Sequence, residues 1–391
     1  MLTLPRVALV CDFREENWPS MDLVSEMLFD QLQKGYPDVL AARLICPPMR
    51  MRFAKKPGAR GDGESRMRLN ADRFVNRFWD YPRFMRQLES EVDLFHVIDH
   101  SYGQLLHELP PEKTIVTCHD LDTFQCLLHP EQEPRSIFFK KMMERTLSGF
   151  RKAALVTCVS ETTREELLSY ELFPPDRTVV IPNGVHPSCS AEENTAADAQ
   201  ADTLIGTADS KRFDMLHVGS TIPRKRIDVL LRVFATLKHL YPSARLLRVG
   251  GAFTAEQTAL IDRLRLRESI LVLPYIDRNV LAAVYRRAAL VLQPSEREGF
   301  GLPVVEAMAC GTPVVASDLP VLREVGGEAA TYCEMGNVEA WTNTIAELLT
   351  ESHQQPQRWA QRRAAGLAQA AKFTWAEYAR KMVAVYQSLL K

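Results

Sequence analysis

Two glutamates, Glu298 and Glu306, flank a glycine-rich turn in the run Gln293-Pro-Ser-Glu-Arg-Glu298-Gly-Phe-Gly-Leu-Pro-Val-Val-Glu306-Ala-Met-Ala-Cys-Gly311. The run leaves an apolar stretch and enters a helix, for which Pro303 suits the first helical position and Gly311 the stop. Backbone N–H groups of Phe300, Gly301 and Leu302 then fall at a helix N-terminus, where the dipole favours an anion; a phosphate or pyrophosphate is the expected guest. Gly299 and Gly301 allow close backbone approach. Carboxylates on the same side accept hydrogen bonds from sugar or ribose hydroxyls. Complementing the helix dipole accounts for one of the two glutamates and leaves Glu298, ahead of the helix, unexplained.

A second constellation follows the apolar run that ends at Gly219-Ser220. Arg224-Lys225-Arg226 opens the next helix, and three cations at a helix N-terminus oppose its dipole unless an anion docks there. A third, His119-Asp120, comes directly after an apolar strand, at the edge where open α/β sheets bind ligands. His96, His100 and His107 are read as structural, and no metal site is expected.

These residues need a scaffold of strands and helices. Short Val/Ile/Leu-rich runs alternate with amphipathic segments along the chain, the pattern of parallel strands buried between helices, so the fold class is α/β. Strands are predicted at Arg6 to Phe13, Val39 to Cys46, Asp93 to Ile98, Lys113 to His119, Ala154 to Ser160 and Thr178 to Pro182. A second series follows at Phe213 to Gly219, Ala244 to Gly250, Ile270 to Pro274, Ala289 to Gln293, Pro313 to Ser317 and Ala330 to Cys333. Helices are predicted over Asp22 to Lys34 and Ser136 to Arg151, with Ser160 as the N-cap of another. Two doubly wound sheets fit this rhythm, giving an N-terminal domain over 1–190 and a C-terminal domain over 212–373. Residues 191–211, rich in Ala, Asp, Thr and Glu, read as a linker or exposed loop. The helix within 374–391 is expected to pack back on the first domain.

The 391 residues are 46% hydrophobic and 25% charged, with 48 Lys+Arg against 49 Asp+Glu. That balance excludes a disordered tail and argues against nucleic-acid binding, which leaves a basic footprint. Eight cysteines stand singly, as reduced thiols of a cytoplasmic protein do. No signal peptide or membrane-spanning run is read. One segment departs from the balance: residues 50–86 hold eleven Lys/Arg against four acids, interleaved with Phe74, Phe78, Trp79, Tyr81 and Phe84. Its middle, Lys56 to Glu64, reads as a mobile loop. The segment suits either a peripheral contact with an anionic membrane or phosphate-bearing acceptor, or a helix with aromatics inward and arginines in water.

The Glu298–Glu306 segment resembles the E-x7-E motif of the retaining glycosyltransferases of family 4, which have the GT-B fold of two facing Rossmann-like domains with an inter-domain cleft. Further family-like elements come in order: Val116-Thr-Cys-His119-Asp120-Leu121, Val159-Ser160-Glu161-Thr162, Ile181-Pro-Asn-Gly184-Val, Val218-Gly219-Ser-Thr-Ile-Pro-Arg224-Lys225-Arg226-Ile-Asp228 and Leu273-Pro-Tyr275-Ile276. The likeness is dense from about Asp93 to Cys333. It implies that Glu298 binds hydroxyls of the donor sugar, Glu306 the nucleotide ribose, and Phe300 to Leu302 the sugar and distal phosphate. Lys225 would neutralise the pyrophosphate, His119 would lie near the reacting centre, and Tyr275 and Ile276 would fall in the base region. No obligatory cofactor is implied; the co-substrate is a nucleotide diphosphate sugar. The Pro-Arg-Lys turn is similar to that of mannosyltransferases, which puts GDP-mannose first and a UDP-hexose second.

The chain departs from the family pattern twice. Ser220 stands where many members have arginine, and Arg224 is the nearest candidate to replace that cation. The loop from Cys11 to Asp22 lacks a Gly-Gly pair, so its Asp12, Trp18 and Ser20, with Asp120, are the acceptor-side candidates. The resemblance thus implies a retaining hexosyltransferase of glycan biosynthesis, acting on a carbohydrate or lipid-linked acceptor, cytoplasmic or peripheral at the inner face of the membrane. Alternatives sharing the architecture are a phosphorylase, a UDP-sugar epimerase, or a non-catalytic nucleotide-sugar-binding subunit.

Overall fold

The computed structural model describes residues 4–54, 63–207, 209 and 212–390. The chain divides into two compact units, Met1–Gly184 with Trp375–Lys391, and Val185–Thr374.

The first unit carries six strands: β1 (Arg6–Val10), β2 (Ala41–Ile45), β3 (Leu94–Val97), β4 (Thr114–Cys118), β5 (Leu155–Cys158) and β6 (Thr178–Val180). They pair in parallel in the order β2-β1-β3-β4-β5-β6. Every residue of β3 and β4 is buried, as strands covered on both faces require. The order reverses between β1 and β3, so the segments beginning at Asp12 and Asp99 leave the sheet at its switch point. The helix Trp375–Leu389 belongs to this unit and buries Trp375, Tyr378, Met382 and Tyr386. Its Tyr386 hydroxyl lies 2.7 Å from His96 Nδ1, while His96 Nε2 lies 2.7 Å from Thr117 Oγ1. The Ser160 hydroxyl caps the helix Glu161–Ser169 by accepting from the Thr163 N–H.

In the second unit, β7 (Asp214–Val218), β8 (Arg245–Val249), β9 (Ile270–Leu273), β10 (Leu290–Gln293), β11 (Val314–Ser317) and β12 (Thr331–Cys333) form a parallel sheet ordered β12-β11-β10-β7-β8-β9. Its switch point falls between β7 and β10, and the turns after these two strands carry Lys225 and Glu298. Apolar clusters cover the two faces, one around Phe234 and Trp341, the other around Tyr285 and Met308.

Two boundaries differ from the sequence reading. The first unit ends at Gly184, because the next residues dock on the second: Val185 N–H donates to the Phe373 carbonyl at 3.0 Å and Ser188 Oγ to that of Arg278 at 3.3 Å. The expected linker holds a helix, Thr195–Ile205, whose Asn194 side chain caps it. Ala197, Ala201 and Ile205, four apart, bury one narrow stripe, and Asp198 and Asp202 pair with Arg286 and Arg287. Its apolar face is built from alanine, too weak a hydrophobic signal to register as periodicity.

Residues 55–62 of the basic segment, most of the loop read at 56–64, lie outside the described residues, and the last two positions of that reading, 63 and 64, begin a helix instead. Beyond it the chain is helical over Gly63–Val75 and Tyr81–Leu88. Tyr81 is buried, donating its hydroxyl toward the carbonyls of Cys11 and Ile45. Arg77 also turns inward, to Glu16 and over the Tyr102 ring, while Arg52 pairs with Asp80 and Arg86 with Glu108. Trp79 is 58% exposed and stacks under the Arg83 guanidinium. The segment thus divides between core and surface rather than taking either reading whole.

Candidate active site

Glu298 is the centre of a buried polar cluster in the second unit. Its side chain is 6% exposed and its Oε1 accepts from Lys225 Nζ, Gln293 Nε2 and Ser295 Oγ, each at 2.6 Å. Oε2 accepts from Arg224 Nη1 at 3.2 Å. Burial alone would push this carboxyl up, but the charges of Lys225 and Arg224 and the hydrogen bonds of Lys225 and Ser295 outweigh it and hold the pKa at about 2. The glutamate is ionised across the physiological range.

Local geometry explains how the cluster forms. Gln293 is the last residue of β10, and Ser295 and Glu298 follow it on the turn. A single 3-10 turn, Pro223–Lys225, carries Arg224 and Lys225, and the Glu296 N–H donates to the Arg224 carbonyl at 2.7 Å, tying the two turns together. Arg226 sits in the left-handed region at φ 48° and pairs with Asp228 at 3.0 Å. All three cations therefore have carboxylate partners, so their place before the helix does not by itself require an anion. Their charge is matched here by Glu298 and Asp228.

The helix after the turn runs Leu302–Ala309 with Gly301 as its N-cap, at φ 97° and with no side-chain cap. A Cβ on Gly301 would sit 2.7 Å from Leu322 Cδ2, so both backbone and space demand glycine. Phe300 is buried against Phe373. Glu306 accepts from the Tyr285 hydroxyl at 3.0 Å; burial raises its pKa against the pull of Tyr285 and Arg278. The two glutamates thus differ: Glu298 is locked as an anion, whereas Glu306 is held by one neutral donor and is the more readily protonated. Gly219 donates its N–H to the Val249 carbonyl at 3.0 Å, and the carbonyl of the neighbouring Ser220 accepts from Arg248 Nη2 at 3.0 Å. Tyr275, 62% exposed, and the half-buried Ile276 follow β9.

In the first unit the sheet switch point gathers a separate polar group. Asp12 is 4% exposed, and among the described residues no hydrogen-bond donor serves its carboxylate apart from its contact with Asp99; burial and Asp99 push its pKa up. Asp99 accepts from Ser101 N–H at 2.8 Å and Oγ at 2.6 Å. Burial opposes its ionisation too, but His100 and His119 hold its pKa down. His119 Nε2 lies 2.8 Å from the Ile98 carbonyl, which can only accept, so the ring carries its proton there; burial depresses its pKa despite Asp99. Asp120 caps its own turn, accepting from Asp122 N–H at 3.0 Å. Trp18 and Ser20 lie exposed at the start of the helix Pro19–Gly35. Asp12 thus follows β1, and His119 and Asp120 follow β4, with β3 between the two strands, while Trp18 and Ser20 sit on the surface of the helix end.

Sequence reasoning missed Gln293, Ser295, Tyr285 and Asp99, each an ordinary polar residue until the fold places it against a carboxylate or carboxyl. It also missed Arg248, although a lone arginine within an apolar strand was a legible sign. No helix among the described residues is long and apolar enough to cross a membrane.

Comparison with known proteins supplies a family context. Residues 202–365 match the family model of glycosyl transferases group 1, and residues 37–188 that of glycosyltransferase family 4. O-antigen chain mannosyltransferase B of Escherichia coli is 29% identical over 293 residues, covering 71% of each chain. The serotype-specific mannosyltransferase WbdA of Escherichia coli is 27% identical over 72% of this chain, which spans about a third (34%) of that longer protein. Sucrose-phosphate synthase from Thermosynechococcus elongatus superposes with a TM-score of 0.74 at 21% identity, covering 98% of this chain and 99% of that one.

Proposed function

Since the chain belongs to glycosyltransferase family 4 and has the GT-B fold, we propose that it moves a hexose, with retention, from a nucleotide diphosphate sugar to a hydroxyl of a sugar or lipid-linked glycan. The observation that carries this reading is the Glu298–Lys225 pair at the β7/β10 switch point, set beside an uncapped helix N-terminus. Mannose is the first choice of sugar and GDP-mannose of donor, supported by the similarity to the two Escherichia coli mannosyltransferases.

In this reading the donor's diphosphate takes Lys225 and the N–H groups of Phe300 to Leu302, and the freed Glu298 oxygens accept from hydroxyls of the donor sugar. Glu306 accepts from the ribose, with Gly219 and Ser220 alongside the phosphates and Tyr275 and Ile276 toward the base. The acceptor oxygen attacks the anomeric carbon on the face from which the diphosphate leaves. The leaving phosphate takes the acceptor's proton, while Lys225 and the helix dipole stabilise the charge that develops on it. His119, held neutral, steadies the sugar without adding charge, and Asp12, Trp18, Ser20 and Asp120 serve the acceptor. Among the described residues no three His, Cys, Asp or Glu side chains are grouped to hold a metal ion.

A cytoplasmic protein in peripheral contact with an anionic membrane completes the proposal. Phe74 rests on Phe78 and on Phe138, and Ile137 and Phe138 are 77% and 62% exposed beside Arg135 and Lys141. Apolar side chains ringed by cations suit anionic headgroups.

A thermal-shift panel of nucleotide sugars tests the donor reading, because a ligand that binds the folded state raises the melting temperature. GDP-mannose is expected to shift it, and Lys225→Ala to abolish the shift. A chain that responds to no nucleotide sugar and hydrolyses none would sink the proposal. The anomeric proton coupling of the product decides retention.

A further inference from the structure

Arg248 lies on β8 in the run Leu246-Leu247-Arg248-Val249, whose other members are buried and apolar, and it is itself 0% exposed. Its Nη1 donates to the Val249 carbonyl and its Nη2 to the Ser220 carbonyl at 3.0 Å, while Nε meets no acceptor among the described residues. Among the described residues no carboxylate pairs with it, and burial draws its pKa down to about 10 with only Tyr275 acting against this. A buried cation without a counter-charge is costly, and proteins keep one where an anion offsets it.

The surroundings point the same way. His217, also 0% exposed, is met at its ring nitrogens by no side chain among the described residues and is kept neutral by burial, with Arg248 and Lys225 adding to the effect. A Cβ on Gly250, at φ 134°, would lie 2.0 Å from the Gly219 carbonyl oxygen and 2.9 Å from Arg248 Nη1. The turns after β7 and β8 are therefore pressed directly onto the guanidinium. Arg224, the expected replacement for the arginine absent at Ser220, spends its Nη1 on the Arg297 carbonyl at 2.9 Å and on Glu298. Two cations share one glutamate, whereas the cation under Gly219–Ser220 has no carboxylate among the described residues.

We propose that Arg248 is a positioning residue for the donor's diphosphate, its charge reaching the ligand through the Gly219–Ser220 turn and standing in, from the next strand, for an arginine at 220. The inference rests on the donor-site reading above. Being fully buried, Arg248 acts through the turn it holds and through its field.

Two variants separate charge from architecture. Arg248→Gln keeps a donor for the carbonyls and removes the charge; Arg248→Lys keeps the charge. Calorimetric titration with GDP and UDP is run on wild type and both variants, with melting curves alongside. Gln is expected to weaken diphosphate binding about tenfold, the scale of one unit charge acting over roughly 9 Å at an effective dielectric near 25. Lys is expected to stay within about threefold of wild type, and the Gln variant to show a flatter dependence of affinity on salt. Diphosphate affinity unchanged in Arg248→Gln, or equal losses in both variants, would overturn the assignment. Should Arg248→Gln not fold, Arg248→Met against Arg248→Lys reads the same contrast. A wild-type chain that binds neither diphosphate would instead defeat the donor-site reading, leaving the two failures distinct.

Discussion

Replacing Lys225 by methionine should loosen the β10 turn by an amount set by the charge it leaves behind. The Lys225 side chain is 11% exposed and contacts Glu298 at 2.6 Å, so its removal leaves an anion, 6% exposed, with Arg224 at 3.2 Å as its remaining cation. Breaking a buried pair from one side costs roughly 3–5 kcal/mol. The pKa gives a similar scale: Glu298 titrates at about 2 rather than 4.5, and that gap at about 1.4 kcal/mol per unit is roughly 3 kcal/mol. Because the folded pKa is depressed, this stabilisation is complete above pH 4.5 and is lost as pH falls toward 2. In the variant, burial is no longer outweighed to the same degree, so the carboxyl titrates higher and protonation relieves the penalty at mildly acidic pH. Amide hydrogen exchange of the 290–300 segment, corrected for intrinsic rate, reads this locally without requiring both units to unfold together. We expect exchange to be accelerated more than a hundredfold at pH 8 and less at pH 5.5, with Glu298→Gln in the Lys225→Met background recovering most of the protection. Wild-type exchange at pH 8 in Lys225→Met would refute the reasoning, as would an acceleration that does not depend on pH.

In the first unit, burial holds the imidazole of His96 at a pKa of about 3, far below 6.5, with His119 adding to the effect. It is neutral in the fold and charged on unfolding, so up to roughly 5 kcal/mol should be lost as pH falls from 6.5 to 3; denaturant titrations across that range check it. Tyr386→Phe, which removes a partner from that ring, should cost about 1–3 kcal/mol in urea unfolding monitored on the first unit. Replacing Ile137 and Phe138 by glutamate should cut sedimentation with anionic vesicles at least fivefold and leave the melting temperature within about 2 °C, since both side chains are exposed. Equal sedimentation of variant and wild type would remove the membrane contact.

All twelve strands were legible because each is a short apolar run bounded by turn residues, and parallel strands buried on both faces give the strongest such signal. The Thr195–Ile205 helix was not, since two alanines and one isoleucine, four apart, bury too little to mark a period. The glutamate pair of the candidate site was visible in spacing and in the glycines around it. What spacing could not carry was charge bookkeeping: Arg224 and Lys225 looked unmatched because Glu298, 73 residues beyond Lys225, is brought to them only by sheet order, whereas Arg226 has its partner Asp228 two residues on. Arg248 is the converse case, an unremarked strand residue whose lack of a carboxylate appears only once its neighbours are known.

That bookkeeping bears on how the proposed donor would be received. Glu298 Oε1 already accepts three hydrogen bonds at 2.6 Å, one of them from Lys225, so a sugar hydroxyl cannot add a good hydrogen bond there while the lysine stays. A diphosphate that draws Lys225 away exposes that oxygen, and Gln293 and Ser295 keep the carboxylate aimed while its partner changes. The exchange swaps one ion pair for another, so its net cost is small beside that of creating either charge anew. Binding of the phosphates would thus precede a firm grip on the sugar. Free nucleoside diphosphate should then bind nearly as well as the full donor, whereas the free sugar should bind poorly on its own and better once the nucleotide is in place.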